Sequence, residues 1–516
     1  MCGITVTTKD ITDMNYVTEY LKRRGPDFTG FLKLHGYSFV HTLLSMTGDN
    51  YTYQPFYYPD DDLVIIFNGE IYNFKDFGKY NSDGECIYDV YKKYGENFSK
   101  YLDGEFAIVI CDFRNKYTYY TTDIFSIKPL WVSFDGKDIG ISSYESCLRR
   151  LGFKDIKEVE PNKTYKYDMK LFKVVSESTI YNFDLKQHKN SYDDWFKAFE
   201  AAILKRVINI KHRIFIGLSS GYDSGAIACC LNKYKIDYTP YSILGSENQE
   251  ILKRRNELSK NGEIFDIKKD DLISQRDYLD KNCEDYNLNI DNGLMERTQI
   301  VRKEIEELRK IKNPDKKTND LIRTLENTII YYQKPEEIKK VSRDNGSVGL
   351  GYICSMARNK GELIYLTGSG ADEILSDYGW NGVKHYGHST IGGYFPDDLS
   401  KVFPWKNFFL NTQRAYLRKE EYVAGTYGIE GRYPFLDKKL VQEFLWLSPN
   451  LKNIKYKAPL YEYLKINNYP FDENRKIGFD IGFTNLQINE VSKNINARTE
   501  IGKTTNKALI VDKNGF

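Results

Sequence analysis

Up to about residue 185 the apolar positions come in short runs, among them DLVIIFNGEIYNF (62–74), GEFAIVICDF (104–113), KYTYYTTDIF (116–125) and IGISSYES (139–146), separated by Gly, Asp and Asn. Runs of this length bounded by turn formers predict strands, with few helices. The stretch DLKQHKNSYDD from 184 is polar, and WFKAFEAAILKRVINI after it carries apolar residues at helical spacing. This change of period sets the expected domain boundary at 185/186. Beyond it the pattern alternates: RIFIGL, a small-residue loop, then AIACCLNKY; YTPYSIL, then NQEILKRRNELSK; ELIYLTG, then SGADEIL. Strand–loop–helix units in series predict a doubly wound parallel α/β sheet over 186–516, whose ligands bind at the carboxyl ends of its strands. A charged block at 294–341 has apolar residues at helical intervals (Ile300, Val301, Ile305 and Leu308, then Leu321, Ile322, Leu325 and Ile329), which predicts a solvated helical hairpin inserted in the second half.

Composition narrows the classes. With 516 residues, 41% of them hydrophobic, the chain can fill two to three cores, so a multidomain globular protein is expected. Basic and acidic residues nearly cancel, 74 against 72, which gives no field favouring nucleic acid or an anionic membrane. The first thirty residues hold no apolar run of signal-peptide type, and no segment has about 18 consecutive apolar residues; a soluble, cytoplasmic protein is expected. The eight cysteines lack paired metal-ligand spacing, and Cys229 and Cys230 read as helix packing.

Two stretches carry chemistry. The chain begins MCGI. With Met1 removed, Cys2 would present a thiol and a free α-amine on one residue, and the amine, with an ordinary pKa of about 7.7 to 8, can take the thiol proton. Cys2 is followed, in order, by RRGPD (23–27), FNGEIYNF (67–74), SDGE (82–85) and LDGEFAIVI (102–110). This series resembles the class II glutamine amidotransferases, whose amino-terminal-nucleophile (Ntn) hydrolase fold is an αββα sandwich. The resemblance implies that Asn68 and Gly69 hold the oxyanion of the tetrahedral intermediate. It also implies that Glu70 and Asp83 bind the α-amino group of glutamine and that Arg24 helps shape its pocket. One position departs: HTLLSM puts Leu43 where the family has an arginine for the substrate carboxylate, leaving Lys22 or Arg23 as replacements.

The second stretch, IFIGLSSGYDSGAIA, is a strand, a loop of small residues and a helix start, a backbone nest suited to an anion. It lacks the Gly-Lys-Ser/Thr of a Walker loop. It resembles the SGGxDS loop of the ATP pyrophosphatases (adenine nucleotide α-hydrolase-like fold), with Ser220 in place of the first glycine. LTGSGADEI (366–374), GIEGRYPFLD (428–437) and KAPL (457–460) then resemble, in order, the carboxy-terminal half of the asparagine synthetase family.

Over the whole chain that resemblance implies a cytoplasmic enzyme that uses glutamine, ATP and Mg²⁺ to convert aspartate to asparagine through a β-aspartyl-adenylate. Ammonia would pass inside the protein from one site to the other, and the chain would pair as a homodimer. Ser219, Gly221, Asp223, Ser224, Thr367, Gly368 and Lys476 are then expected at the nucleotide, Asp223 and Asp372 at the metal, and Lys457 at the reacting phosphate. A family glutamate is replaced by Ser369, which leaves Glu430 as the expected base and keeps open another carboxylate acceptor, or a relative without catalysis.

Overall fold

The computed structural model describes residues 1–47, 52–208, 210–245, 247–288, 290–291, 294–311, 314–332 and 339–472. The first 180 residues form two stacked six-stranded antiparallel sheets. One runs, in spatial order, Ile156–Glu158, Trp131–Asp135, Asp138–Ser142, Gly3–Thr7, Tyr37–Leu43 and Phe28–Leu34; the other runs Lys173–Thr179, Lys163–Asp168, Tyr117–Thr122, Gly104–Asp112, Leu63–Ile71 and Phe56–Tyr58.

Strand Leu63–Ile71 shows why these layers stack. Side chains alternate between the two faces of a strand. Val64 and Ile66 point between the sheets to meet Ile4, Val6 and Phe39, while Leu63, Ile65 and Phe67 pack against Ile87, Val90 and Tyr91 of helix Cys86–Tyr94. On the far face of the first sheet, Leu21 and Cys147 join the core that continues into the second half. The result is helix, sheet, sheet, helix, with Cys2 just ahead of Gly3–Thr7, a central strand of the first sheet. No regular element crosses the polar stretch from 181 to 192.

Residues 193–472 are built on five parallel strands in the order Glu263–Phe265, Thr239–Ile243, Arg213–Gly217, Glu362–Leu366, Glu430–Arg432. The chain starts in the middle at Arg213–Gly217, winds outward to one edge, and returns to the other side at Glu362–Leu366. These two neighbours diverge in winding direction, and in a doubly wound sheet such a switch point opens a crevice above the strand ends. The loops leaving them are 218–221 and 367–370. Helices Leu294–Arg309 and Lys316–Tyr332 pack side by side in the charged block. Among the described residues no helix is long and apolar enough to cross a membrane.

Candidate active sites and the interface between them

Cys2 lies just before strand Gly3–Thr7. Its backbone N–H donates to Asn68 Oδ1 at 3.0 Å, its Sγ to Leu44 O at 3.7 Å, and its own carbonyl accepts from Arg24 Nε at 2.7 Å. Burial pushes the thiol up to about 11, against the chain's amino group and the Leu44 contact, so a base is needed to form the thiolate. Asn68 holds Cys2 with its oxygen and leaves its Nδ2 buried with no hydrogen-bond partner among the described residues. An orphaned buried amide costs about 1–3 kcal/mol, and two free N–H donors beside a nucleophile are the equipment of an oxyanion site. Gly69 follows with φ +142°, and a Cβ there would fall 2.0 Å from the Glu105 carbonyl oxygen, so only glycine fits.

Glu70 and Asp83 close the same end. Burial, then repulsion from Glu430 and Asp83, raises the Glu70 carboxyl well above its ordinary range. Burial pushes Asp83 up to about 6, although Ile71 N–H donates to it at 2.7 Å and Thr47 Oγ1 at 3.0 Å. Arg432 Nη2 lies 3.4 Å from Glu70 Oε2, while among the described residues no cation pairs with Asp83, so the two carboxylates together suit a cationic ligand. Leu43 is buried in its strand, and Lys22 turns away, donating to Asn15 Oδ1 at 2.5 Å. A cation that the sequence did not flag reaches that segment: Lys211 Nζ donates to Ser45 Oγ at 3.0 Å, one residue past the carbonyl that faces Cys2 Sγ.

At the other end, a cavity of about 640 Å³ sits over the switch point. Ser219, Gly221, Asp223, Ser224, Thr367, Gly368, Asp372 and Lys457 all line it; Lys476 lies outside the described residues. Ser219 Oγ and Ser224 Oγ are 2.8 Å apart, and Gly221 N–H donates to Ser219 Oγ at 3.2 Å, which ties the loop to the first turn of helix Tyr222–Lys233. Ser220 keeps a negative φ, so the missing glycine costs no strain. Its N–H donates to Glu247 Oε2 at 2.6 Å and its hydroxyl to the same oxygen, while Arg255 donates to the carbonyls of Ser219 and Gly221. Serine here fastens the loop from beneath. At Gly368 a Cβ would lie 2.9 Å from Asp223 Cβ, so glycine lets the two loops meet.

Lys457 organises the carboxylates. It adopts φ +46°, an uncommon conformation for a side-chain-bearing residue. Its Nζ donates to Asp223 Oδ1 and Oδ2 at 2.7 Å each and lies 2.9 Å from Asp372 Oδ1. Burial alone would lower its pKa, but the two aspartates hold it above its ordinary value. Tyr456 OH also donates to Asp372, at 2.5 Å. The ammonium bridging two acids marks where a cation is attracted. Magnesium usually takes one or two protein carboxylates and completes its shell with water and phosphate oxygens, so Asp223 and Asp372 fit it. Among the described residues no group of three or more His, Cys, Asp or Glu gathers as a metal cage.

Between the two ends runs a buried layer of charge. Arg24 Nη2 donates to Glu421 Oε2 at 2.5 Å and Nη1 to the Glu421 carbonyl at 3.1 Å. Lys128 Nζ reaches Glu421 Oε1 at 3.1 Å and the Gly431 carbonyl at 2.7 Å. Arg206 Nε donates to Glu105 Oε1 at 2.8 Å, and the Met1 ammonium donates to Glu430 Oε2 at 3.0 Å. Two sequence expectations change here. Arg24 spends its guanidinium on Glu421 and on the Cys2 carbonyl, so it positions the thiol segment from behind and offers glutamine no free face. Glu430 does not line the cavity. Burial alone would raise its carboxyl, but the Met1 amino group, Arg432 and Lys128 hold it below its ordinary value, and once Met1 is lost Arg432 still donates to it through Nε at 2.7 Å, which makes it a poor proton acceptor. An acid that does face the cavity, beside Asp223, Asp372 and Glu373, is Glu420, which accepts from Thr367 Oγ1 at 2.8 Å and Ser369 Oγ at 2.6 Å.

Residues 1–186 match the sequence profile of the glutamine amidotransferase domain family. Glutamine-hydrolysing asparagine synthetases of Asparagus officinalis and Sandersonia aurantiaca are 31% and 29% identical over 225 and 242 residues, 40% and 42% of this chain. A Methanocaldococcus jannaschii protein that carries the asparagine synthetase name is 24% identical over 506 residues, 92% of this chain and 78% of its own length. Over these stretches the chain is similar to the asparagine synthetases. The matches to the two plant asparagine synthetases span only 36% and 42% of those proteins' lengths. Among solved structures, the glutamine phosphoribosylpyrophosphate amidotransferase of B. subtilis aligns over 42% of this chain and 60% of its own at 14% identity and TM-score 0.30.

Proposed function

We propose that the protein is a glutamine-dependent, ATP-consuming amide ligase that makes asparagine from aspartate, releasing AMP and pyrophosphate. The observation that carries this reading is the convergence of Asp223, Asp372 and Lys457 with the Ser219–Ser224 and Thr367–Gly368 loops on one cavity above a sheet switch point. The domain boundary near 185 and the ATP-pyrophosphatase assignment of the second half belong to the same proposal.

In the first half, the Cys2 amine freed by loss of Met1 takes the thiol proton, and the thiolate attacks the side-chain amide of glutamine. Asn68 Nδ2 and the Gly69 amide receive the oxyanion. Glu70 and Asp83 hold the substrate ammonium, and Lys211 supplies the positive charge for its carboxylate in place of the arginine lost at Leu43. Ammonia then leaves through the interior, because in bulk water near neutral pH it would be protonated and inert.

In the second half, the Ser219–Ser224 loop and the amino end of helix Tyr222–Lys233 cradle phosphate. Magnesium on Asp223 and Asp372 would neutralise charge on the leaving pyrophosphate. Lys457 moves from the aspartates to the phosphate oxygens as negative charge builds there. An aspartate carboxylate oxygen attacks the α-phosphorus, giving an acyl-adenylate, which ammonia opens to the amide. The test is ATP–pyrophosphate exchange across a panel of carboxylic acids: exchange that requires aspartate supports the reading, exchange only with another acid moves the acceptor, and no exchange with any acid refutes it.

A further inference from the structure

Helix Thr412–Thr426 forms the wall between the interface and the cavity, and two consecutive acids on it face opposite ways. Glu421 turns to the interface, where Arg24 and Lys128 hold it. Glu420 turns to the cavity, where its two oxygens accept from Thr367 Oγ1 and Ser369 Oγ. The other cavity acids are committed: Asp223 and Asp372 to Lys457, and Glu373 to the hydroxyl of Tyr378. Glu420 has only neutral hydroxyl donors and forms no ion pair among the described residues, and each of its oxygens keeps a second lone pair. Burial raises its carboxyl above the ordinary range, which improves it as a base.

We propose that Glu420 is the proton acceptor of the ligation half-reaction, a role resting on the function proposed above. Ammonia crossing from the side of Glu421 meets Glu420 at the cavity wall. As the C–N bond forms, the nitrogen becomes a substituted ammonium and one of its protons passes to a Glu420 oxygen. The bond from the acyl carbon to the adenylate oxygen then breaks, and its electron pair leaves on AMP. Ser369 and Thr367 position the carboxylate through their hydroxyls.

The proposal separates two partial reactions. In Glu420→Gln, which keeps the shape and a hydroxyl acceptor, amide formation from ammonium should fall about 100-fold or more, the usual span of a lost general base, while acid-dependent ATP–pyrophosphate exchange stays within about threefold. In Glu420→Ala/Ser369→Glu a carboxylate returns to the same spot from the neighbouring loop, and amide formation should recover at least about tenfold over Glu420→Ala. Amide formation near the unaltered rate in Glu420→Gln overturns the proposal. So does a parallel loss of exchange that the double variant fails to restore, because the carboxylate then serves binding. Absence of exchange in the unaltered protein with every acid sinks the underlying function instead.

Discussion

Arg24 and Glu421 form a fully buried ion pair, Nη2 to Oε2 at 2.5 Å, that joins the Cys2 segment to the helix walling the second cavity. Removing Arg24 leaves Glu421 buried without water, with Oε2 unpaired and Lys128 Nζ, 3.1 Å from Oε1, as its remaining cation among the described residues. Arg24→Met should therefore cost about 3–5 kcal/mol, read as a lower midpoint in urea unfolding, and should depress glutamine-dependent turnover further through the lost Cys2 contact. A stability unchanged within error would show that the two halves are not fastened here.

The two chemistries should come apart at Cys2. Cys2→Ala is expected to abolish product formation from glutamine, leave synthesis from ammonium within about twofold, and leave pyrophosphate exchange intact, since the thiol is the sole nucleophile of one half only. Loss of both nitrogen sources together would mean that Cys2 supports the fold.

Lys211 comes from the second half of the chain yet sits against Ser45. If it pairs with the glutamine carboxylate, Lys211→Ala should raise KM for glutamine about tenfold or more, the worth of a charged hydrogen bond, with ammonium-driven rates unmoved. An unchanged KM would leave the Leu43 substitution without a compensating cation.

Much of this was legible from residues close together in sequence. Leu63–Ile71 and Gly104–Asp112 announce themselves as apolar runs, and the small-residue loop at 219–224 carries its chemistry within six positions. What stayed hidden depends on contacts between residues far apart in the chain. Glu430–Arg432 is a strand of three residues, too short to show a period, yet it closes the parallel sheet and brings Glu430 to Met1. Ser369 looked like the loss of a carboxylate because its partner Glu420 stands 51 positions away. Arg24 resembled a pocket residue until Glu421, 397 positions on, claimed it.

Glu284 gives the fold a pH signature. Burial pushes its carboxyl up to about 7 from an ordinary 4.5, even though Ser146 donates to it through its N–H, at 2.8 Å, and through its hydroxyl. Between pH 4.5 and 7 the unfolded chain has released this proton and the folded chain has kept it, so stability falls as pH rises through that window, by about 3 kcal/mol at most. Glu284→Gln should remove that slope, gaining on the unaltered protein at pH 8 and converging with it below pH 4.5; equal slopes in urea midpoints against pH would contradict the assignment.

The central claim is that ammonia made at Cys2 reaches the second cavity without entering bulk solvent. Glutamine labelled with ¹⁵N in its side-chain amide, supplied with ATP, the acceptor acid and a large excess of unlabelled ammonium at a pH where ammonium is a poor substrate, tests it in one mass spectrum of the product. Retention of the label in nearly all of the new amide is the predicted result. Dilution of the label to the proportion present in the bulk pool would contradict the account.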